Sequence, residues 1–494
     1  MARVWSWLKI ATDTIKLSLS FRDLQLDLDT IPQLCRMNRK GGVDTMQKDQ
    51  WGYPVSTEES LAVEALDKAF NGYFHFRTDA IKNLDAAIEI DSQFALPHIA
   101  KGILLESLKK PELHPAALGE LKAAKNALMP TSAREHHYLA ALEAALAGQV
   151  TTAVTHYQQI VNEHPHDLFA MRLAQSELFW VGEVAWMRDI SEGAASQWTA
   201  DVPGYSAYLS IRSFGLEENG DSELAEKYGR EAVEIDPTDC WGAHAVAHVQ
   251  IMQGRLDDGI SWLKDLSGNW SAANHIVHHL WWHLALFQIE RGDYAAALDV
   301  YDNRLRDLDS PLMQAMPDFY VDIQNDTALL QRLELRGVDI GNRWEPVANL
   351  AKARIGNHYS PFTSAHCALA LAAADRFDEA NELVRHIREF IAVDRGALGP
   401  RYALAVLPAS EAAVAHRMGE HQRVIDILMP ARRNLWQMGG SHAQRDLFFQ
   451  LLVDSAVKLG RRDVLSLLLY ELEAIGFDHL TERSSYVDAV ALSD

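Results

Sequence analysis

Histidine is the residue type best placed to do chemistry in this chain. The 494-residue sequence carries 21 of them, several in groups. His244 and His248 stand four residues apart in DCWGAHAVAH, as do His279 and His283 in HIVHHLWWH. That spacing puts both members of a pair on one face of an α-helix. The pairs are also in phase, since 35 residues separate His244 from His279 and His248 from His283. With such a repeat, equivalent helices lie side by side and the four imidazoles form one patch, with Trp241, Trp281 and Trp282 near it. Three readings fit. The histidines could be packing groups satisfied by hydrogen bonds. They could bind an organic ligand or act as general acids and bases, because imidazole titrates near neutrality. They could hold a transition metal such as zinc or iron. HAVAH lacks the glutamate of HExxH, so a zincin protease is not supported. A carboxylate ligand would come from elsewhere, and Asp302 in VYDNR is the nearest candidate in sequence.

The elements that must position these residues are helices. Apolar residues recur at helical spacing almost throughout, and the alternation that marks strands is nearly absent. Ser56–Glu59, Ser132–Glu135 and Ser441–Gln444 read as capping boxes, and Asp167 and Asp239 as N-caps after proline breaks. Turn glycines at Gly220, Gly254 and Gly292 are 34 and 38 residues apart, and Gly419 and Gly460 are 41 apart. A tetratricopeptide unit has a period of about 34 residues. Ala225, Tyr228, Ala232 and Pro237 fit the second helix of one unit; Leu284, Gly292, Tyr294 and Ala297 fit the next. The fold expected is all-α: a tetratricopeptide-like α-solenoid, a right-handed superhelix of antiparallel helix pairs. Residues 1–50 form a non-repeat extension, and residues 51–494 form the array with C-terminal capping helices. Stacking buries the faces that a lone pair cannot, and leaves a concave surface where such arrays bind their ligands.

Composition narrows the partners. A formal charge of −22 argues against nucleic acid or an anionic membrane, which need a basic face. Three scattered cysteines and no CxxC fit a reducing, cytoplasmic compartment and argue against a cysteine-built zinc site. The segment MARVWSWLKIATDTIKLSLSF is mildly basic and amphipathic, and Lys9, Asp13 and Lys16 make it a poor signal peptide. Two readings exist for residues 1–45: an extension ahead of a natural start near Met46, which is favoured, or a short interfacial or partner-binding helix. No phosphate-binding glycine loop, GxSxG elbow or catalytic cysteine context occurs.

Several segments carry a resemblance: HPHDLFAMR, WMRD, SFGLEE, PTDCWGAHAVAH, HLWWHLALFQIERGDY, GGSHAQRDLF and LTER. From about Pro54 to Arg483 the chain resembles the tetratricopeptide repeat protein 38 family. The family pattern maps onto Asp239, Trp241, His244 and His248, onto His279, Trp282 and His283, and onto Ser441, Gln444, Arg445 and Asp446. His98, His358 and His366 also fall where that pattern has histidine, whereas His275 and His278 are extra. The family is named for its fold, so the resemblance implies no particular activity. It does imply a patch of His, Trp, Arg and Asp rather than the Lys, Arg and Asn of a peptide holder.

The residues expected to carry function are therefore His244, His248, His279 and His283 as acid–base groups or metal ligands. Trp241, Trp282, Arg445, Asp446, His98 and His366 are expected to bind a ligand, with Arg445 holding an anionic group. The competing expectation is a scaffold that binds a protein partner, as a peptide or helix in its groove. A closed pocket with converging imidazoles favours the first, and a long open groove the second. Self-association as a homodimer is a further expectation, since the ends of a stack expose apolar edges.

Overall fold

The amphipathic periods of the sequence fold as successive antiparallel helices. A computed structural model describes residues 46–127, 131–394 and 396–493; the expectations for residues 1–45 lie outside the described residues. Short helical turns aside, the helices run in pairs: α1 (Ser60–Phe74) and α2 (Ala80–Ile90), α3 (Ala95–Ser107) and α4 (His114–Lys125), α5 (Ala133–Leu146) and α6 (Val150–Glu163), α7 (Leu168–Trp180) and α8 (Val184–Gly193). Then follow α9 (Tyr205–Glu217) and α10 (Ser222–Ile235), α11 (Cys240–Met252) and α12 (Leu256–Leu266), α13 (Ile276–Glu290) and α14 (Tyr294–Val300). The chain continues with α15 (Tyr320–Leu335) and α16 (Trp344–Lys352), α17 (Pro361–Ala373) and α18 (Phe377–Val393), α19 (Leu407–Arg417) and α20 (His421–Ala431), α21 (His442–Lys458) and α22 (Arg462–Ala474), and ends on α23 (Val487–Ser493). Residues 47–494 form one unit. Among the described residues there are two isolated β-bridges and no strand. The fold is an all-α, tetratricopeptide-like array.

The two helices of a pair differ in burial because they differ in pattern. Of α10, only Ala225, Gly229, Ala232 and Val233 are buried, one stripe at three- and four-residue spacing. By contrast, all 13 residues of α11 are buried, and all 13 of α17. Helices α11 and α17 are covered on every side, and a polar residue on either has no route to solvent.

Local signals place these helices. Ser132 and Ser441 close full capping boxes with Glu135 and Gln444. The Asp239 carboxylate accepts from the backbone N–H of Trp241 and Gly242, at 3.0 and 2.8 Å, and fixes the start of α11. Gly220, Gly254 and Gly292 have φ of 82°, 67° and 83°, the left-handed caps that end a first helix. The box expected at Ser56 does not form. Helix α1 starts after Glu59 without a side-chain cap, and the Ser56 hydroxyl donates to Glu135 at 2.8 Å. Glu135 is thus both a capping partner and a tie between distant segments.

The late chain packs back on the middle of the array. Arg483, 1% exposed, donates to the carbonyls of Ile251 and Met252, at 2.5 and 2.6 Å. Ser485 donates to Glu290 at 2.6 Å. The C-terminal segment therefore caps the ends of both helices that carry the histidine pairs. Gly439 and Gly440 meet Trp180 and Phe362 at distances no side chain would allow. Two apolar clusters share these seams, and Phe76, Trp180 and Ile276 pack against both.

Candidate metal centre

Helices α11 and α13 lie side by side and bring the two histidine pairs together. The ring centroids of His244 and His248 are 4.3 Å apart, those of His248 and His283 are 4.6 Å apart, and those of His279 and His283 are 4.8 Å apart. One ligand nitrogen from each of the four rings lies within 4.8 Å of the others. The expected concave surface is not open here. His244, His248, His279 and His283 are 1%, 0%, 5% and 0% exposed. The α9, α15 and α21 helices and the C-terminal segment cover what a bare stack would leave exposed.

Hydrogen bonds fix some of these rings and leave others without partners. The Nε2 atoms of His244 and His248 share a contact of 2.9 Å. His279 Nδ1 lies 2.8 Å from Asn325 Oδ1. An amide oxygen only accepts, so Nδ1 carries the proton and Nε2 keeps its lone pair. Both ring nitrogens of His283, and the Nδ1 atoms of His244 and His248, are buried with no hydrogen-bond partner. Burial, reinforced by the neighbouring imidazoles, holds His244 and His283 well below the ordinary histidine value. Burial pushes His248 and His279 down to about 4. All four are neutral at pH 7, the form that binds metal.

Acidic groups come from helices not singled out in the sequence. Glu217, the last residue of α9, lies 3.3 Å from His248 Nδ1, and Glu218 lies 3.8 Å from it. Burial raises both carboxyls to about 8. Arg445 stands 3.9 Å from Glu218. On α15, Asp322 receives His275 Nδ1 at 2.5 Å and His278 Nδ1 at 3.1 Å. Although burial raises Asp322, these two hydrogen bonds hold its carboxyl below the usual value. His275 and His278, the extra histidines, thus form a second buried group beside the first.

Aromatic rings wall the cluster. Trp241 stacks on His244 with centroids 4.6 Å apart, and Trp282 stacks on His279 at 5.1 Å and 11°. Arg172 lies 3.9 Å over the Trp241 ring, and Arg332 lies 5.6 Å over Trp282. A cavity of about 210 Å³ opens on the Trp241 side, and His244 and His279 line it.

The remaining sequence-predicted residues are placed otherwise. Arg445 donates to the Gly440 carbonyl and faces Glu218. Asp446 accepts from Tyr486 and, at 2.7 Å, from Gln450, and with Arg445 it lines a separate cavity of about 440 Å³ at the last helix pair. His98 pairs with Glu120 at 2.6 Å in the second helix pair. His366 donates Nδ1 to the Phe362 carbonyl at 2.9 Å and packs edge-on against Phe448. His358 stacks on Phe390. Asp302 does not reach the histidines; it binds Arg343 at 2.6 Å on the outer side of the array.

No family model matches the chain. Similar solved structures include Naa15/Naa10 bound to HypK-THB, at 14% identity and a TM-score of 0.26, over 92% of this chain and 66% of that one. Another is the P58(IPK) TPR domain, at 15% identity and a TM-score of 0.17, over 76% of this chain and 89% of that one. The fold assignment stands on the helix pairs themselves. Among the described residues, no helix is long and apolar enough to cross a membrane.

Proposed function

We propose that this chain is a member of the tetratricopeptide repeat protein 38 family whose helical array is built around a transition-metal centre. His244, His248, His279 and His283 are its ligands. The observation that carries this reading is the set of convergent imidazole nitrogens, His283 offering two buried ones with no partner. An unsatisfied buried polar group costs about 1–3 kcal/mol, and a cation at the centre of the four rings would satisfy several at once. An all-imidazole set suits zinc, copper, iron or nickel, and zinc accepts tetrahedral nitrogen ligation without redox chemistry. Asn325 behind His279 and Glu217 behind His248 stand where outer partners of metal-bound histidines stand. Glu217 and Glu218, which burial keeps protonated near neutrality, would balance a buried cation by giving up a proton. The adjoining cavity gives a small molecule access to His244 and His279, so metal-assisted acid–base or hydrolytic chemistry is the activity we infer. A reducing cytoplasmic setting accords with the sparse cysteines, of which Cys240 and Cys367 are buried and unpaired. The test is elemental analysis of protein purified without a polyhistidine tag or chelators. About one equivalent of metal per chain, lost in a His248→Ala/His283→Ala variant, supports the centre; wild-type protein without metal that also takes up no added zinc ends it.

A second reading, a scaffold for a protein partner, rests on a different face. Trp436, Tyr470 and Ile475 are 40%, 69% and 50% exposed around a cavity of about 440 Å³ at the last helix pair. Exposed aromatic side chains grouped around a hollow are the usual mark of a docking site. A second copy of the chain is the simplest occupant. Sedimentation of the wild type as a dimer and of Tyr470→Asp as a monomer would support it, and a concentration-independent wild-type monomer would remove that occupant.

A further inference from the structure

The cavity beside the histidines contains one feature that the metal reading does not use. Arg172, on α7, lines it and is 7% exposed. Among the described residues no carboxylate lies within ion-pair distance of its guanidinium. Its one side-chain hydrogen bond goes from Nη1 to Gln175 Oε1 at 2.6 Å. Gln175 is itself fixed: Oε1 also accepts from Trp241 Nε1 at 3.0 Å, and Nε2 donates to the Ile211 carbonyl at 2.7 Å. The guanidinium sits over Trp241, and the Phe76 ring is 5.0 Å away. Burial pushes Arg172 down to about 10, which leaves it charged at neutrality.

Other deeply buried arginines are compensated. Arg134 has Asp49 and Asp167, each at 2.6 Å. Arg332 donates to the Ala328 and Ala443 carbonyls, and Arg483 to those of Ile251 and Met252. Arg172 keeps most of its donor fork for the cavity. A buried, unpaired cation is costly unless something pairs with it. A guanidinium held by aromatic stacking is pre-oriented for a planar two-oxygen partner.

The rest of the lining describes the remainder of that partner. Phe76, Trp180, Trp241, Phe319 and Tyr320 present aromatic surface. At about 210 Å³ the cavity is smaller than the ~300–1,000 Å³ sites that take drug-sized ligands. It has room for one ring with a short arm.

We propose that this cavity binds a small aromatic or apolar monocarboxylate, its carboxylate held by Arg172 and its apolar body against Trp241, Phe76 and Phe319, with its other end toward His244 and His279. The inference deepens the metal-centre reading and rests on it for the chemistry at the histidine end. The carboxylate anchor itself does not need a metal, and this separates the two tests.

The probes are phenylacetate and its neutral isostere phenylacetamide, followed by Trp241-dependent fluorescence or calorimetry on the full chain, with zinc and again with chelator. Phenylacetate is expected to bind more tightly than phenylacetamide by about 10- to 100-fold, the worth of a charge-assisted hydrogen bond. Arg172→Gln is expected to erase that preference while the protein still takes up zinc. Equal binding of acid and amide to the wild type would overturn the proposal whatever the variant does, as would an Arg172→Gln protein that keeps the preference. Acid-selective binding without zinc uptake would remove the metal centre and leave the anchor standing. Zinc uptake without any acid binding would do the reverse.

Discussion

Replacing His283 with leucine should stabilise the metal-free protein and weaken the metal-loaded one. His283 is 0% exposed, and neither ring nitrogen has a partner. Each such nitrogen carries a desolvation cost of about 1–3 kcal/mol, which an apolar side chain of similar size does not. Two nitrogens give a gross relief of roughly 2–6 kcal/mol. Fitting a branched aliphatic chain among the other three rings takes back about 1–3 kcal/mol. The chelated variant should therefore be more stable than wild type by about 2 kcal/mol, the difference between the midpoints of those ranges. With zinc at a thousandfold excess over its dissociation constant, wild type gains about 4 kcal/mol by mass action. A three-histidine site binding about 100-fold more weakly would gain only about 1.4 kcal/mol from the same zinc. The order of stabilities should then reverse.

The assay is urea unfolding followed by far-UV dichroism, for both proteins, with chelator and with zinc. Midpoint shifts are the readout, because a stacked array need not unfold in one step. If His283 is a packing residue, the leucine variant is less stable than wild type in chelator and zinc moves neither curve. That pattern would refute the reasoning.

Three further outcomes follow from the structure. Arg134→Met leaves Asp49 and Asp167 buried without their cation, and urea unfolding should show a loss of about 3–5 kcal/mol. Gly182 has φ of 75°, and a Cβ there would lie 2.1 Å from the Trp436 carbonyl oxygen; Gly182→Ala should cost about 2–5 kcal/mol by thermal denaturation, from left-handed strain plus overpacking. Asp239→Asn keeps the N-cap of α11 and tests a pH effect. Burial raises the Asp239 carboxyl to about 6 from 3.8, so the native state holds its proton more tightly than the unfolded one. Wild-type stability from this group is fully present below pH 3.8 and is lost as pH rises through 6. The stability of Asp239→Asn relative to wild type should rise by about 1 kcal/mol between pH 5 and pH 7, read from urea midpoints.

The sequence made some of this legible and hid the rest for physical reasons. A helical period and an in-phase spacing are local signals, and they sufficed to bring four histidines from two helices to one place. Capping chemistry was equally readable at Ser132, Asp167, Asp239 and Ser441. Asp302 was chosen because it is near in the chain, but it follows a second helix, whose far side faces outward to Arg343. The acids that do approach the histidines, Glu217 and Glu218, precede them by a full helix pair. A signal was present: SFGLEE ends a first helix, and YVDIQND spaces Asp322, Asn325 and Asp326 along another. The first helices α9, α11 and α15 are covered on most sides, so the polar residues buried there have mainly each other, or a ligand, as partners. Arg445 and Asp446 illustrate the limit of reading roles from residue type. They bond to Gly440, Tyr486 and Gln450 and line the cavity at the last helix pair, whereas the arginine that lines the cavity beside the histidines is Arg172.

That contrast bears on why an array of this kind would enclose so much polar chemistry. A stack needs only apolar faces to hold together, and its open concave side costs nothing to leave wet. Here the late chain covers that side, with Arg483 on the end of α11, Gly439 against Trp180 and Gly440 against Phe362 as close contacts. Covering it strips solvent from four imidazoles, two glutamates and one unpaired arginine. Each of these is destabilising alone. Apolar residues would close the same interior more stably, since buried ionic groups are often replaced by hydrophobic ones at no loss. The arrangement makes physical sense if the groups are compensated by what they bind: a cation among the histidines and an anion at Arg172. On that account, added metal and added carboxylate should each raise the unfolding midpoint, and together they should raise it at least as much as the two do separately, because each opposite charge lowers the cost of burying the other.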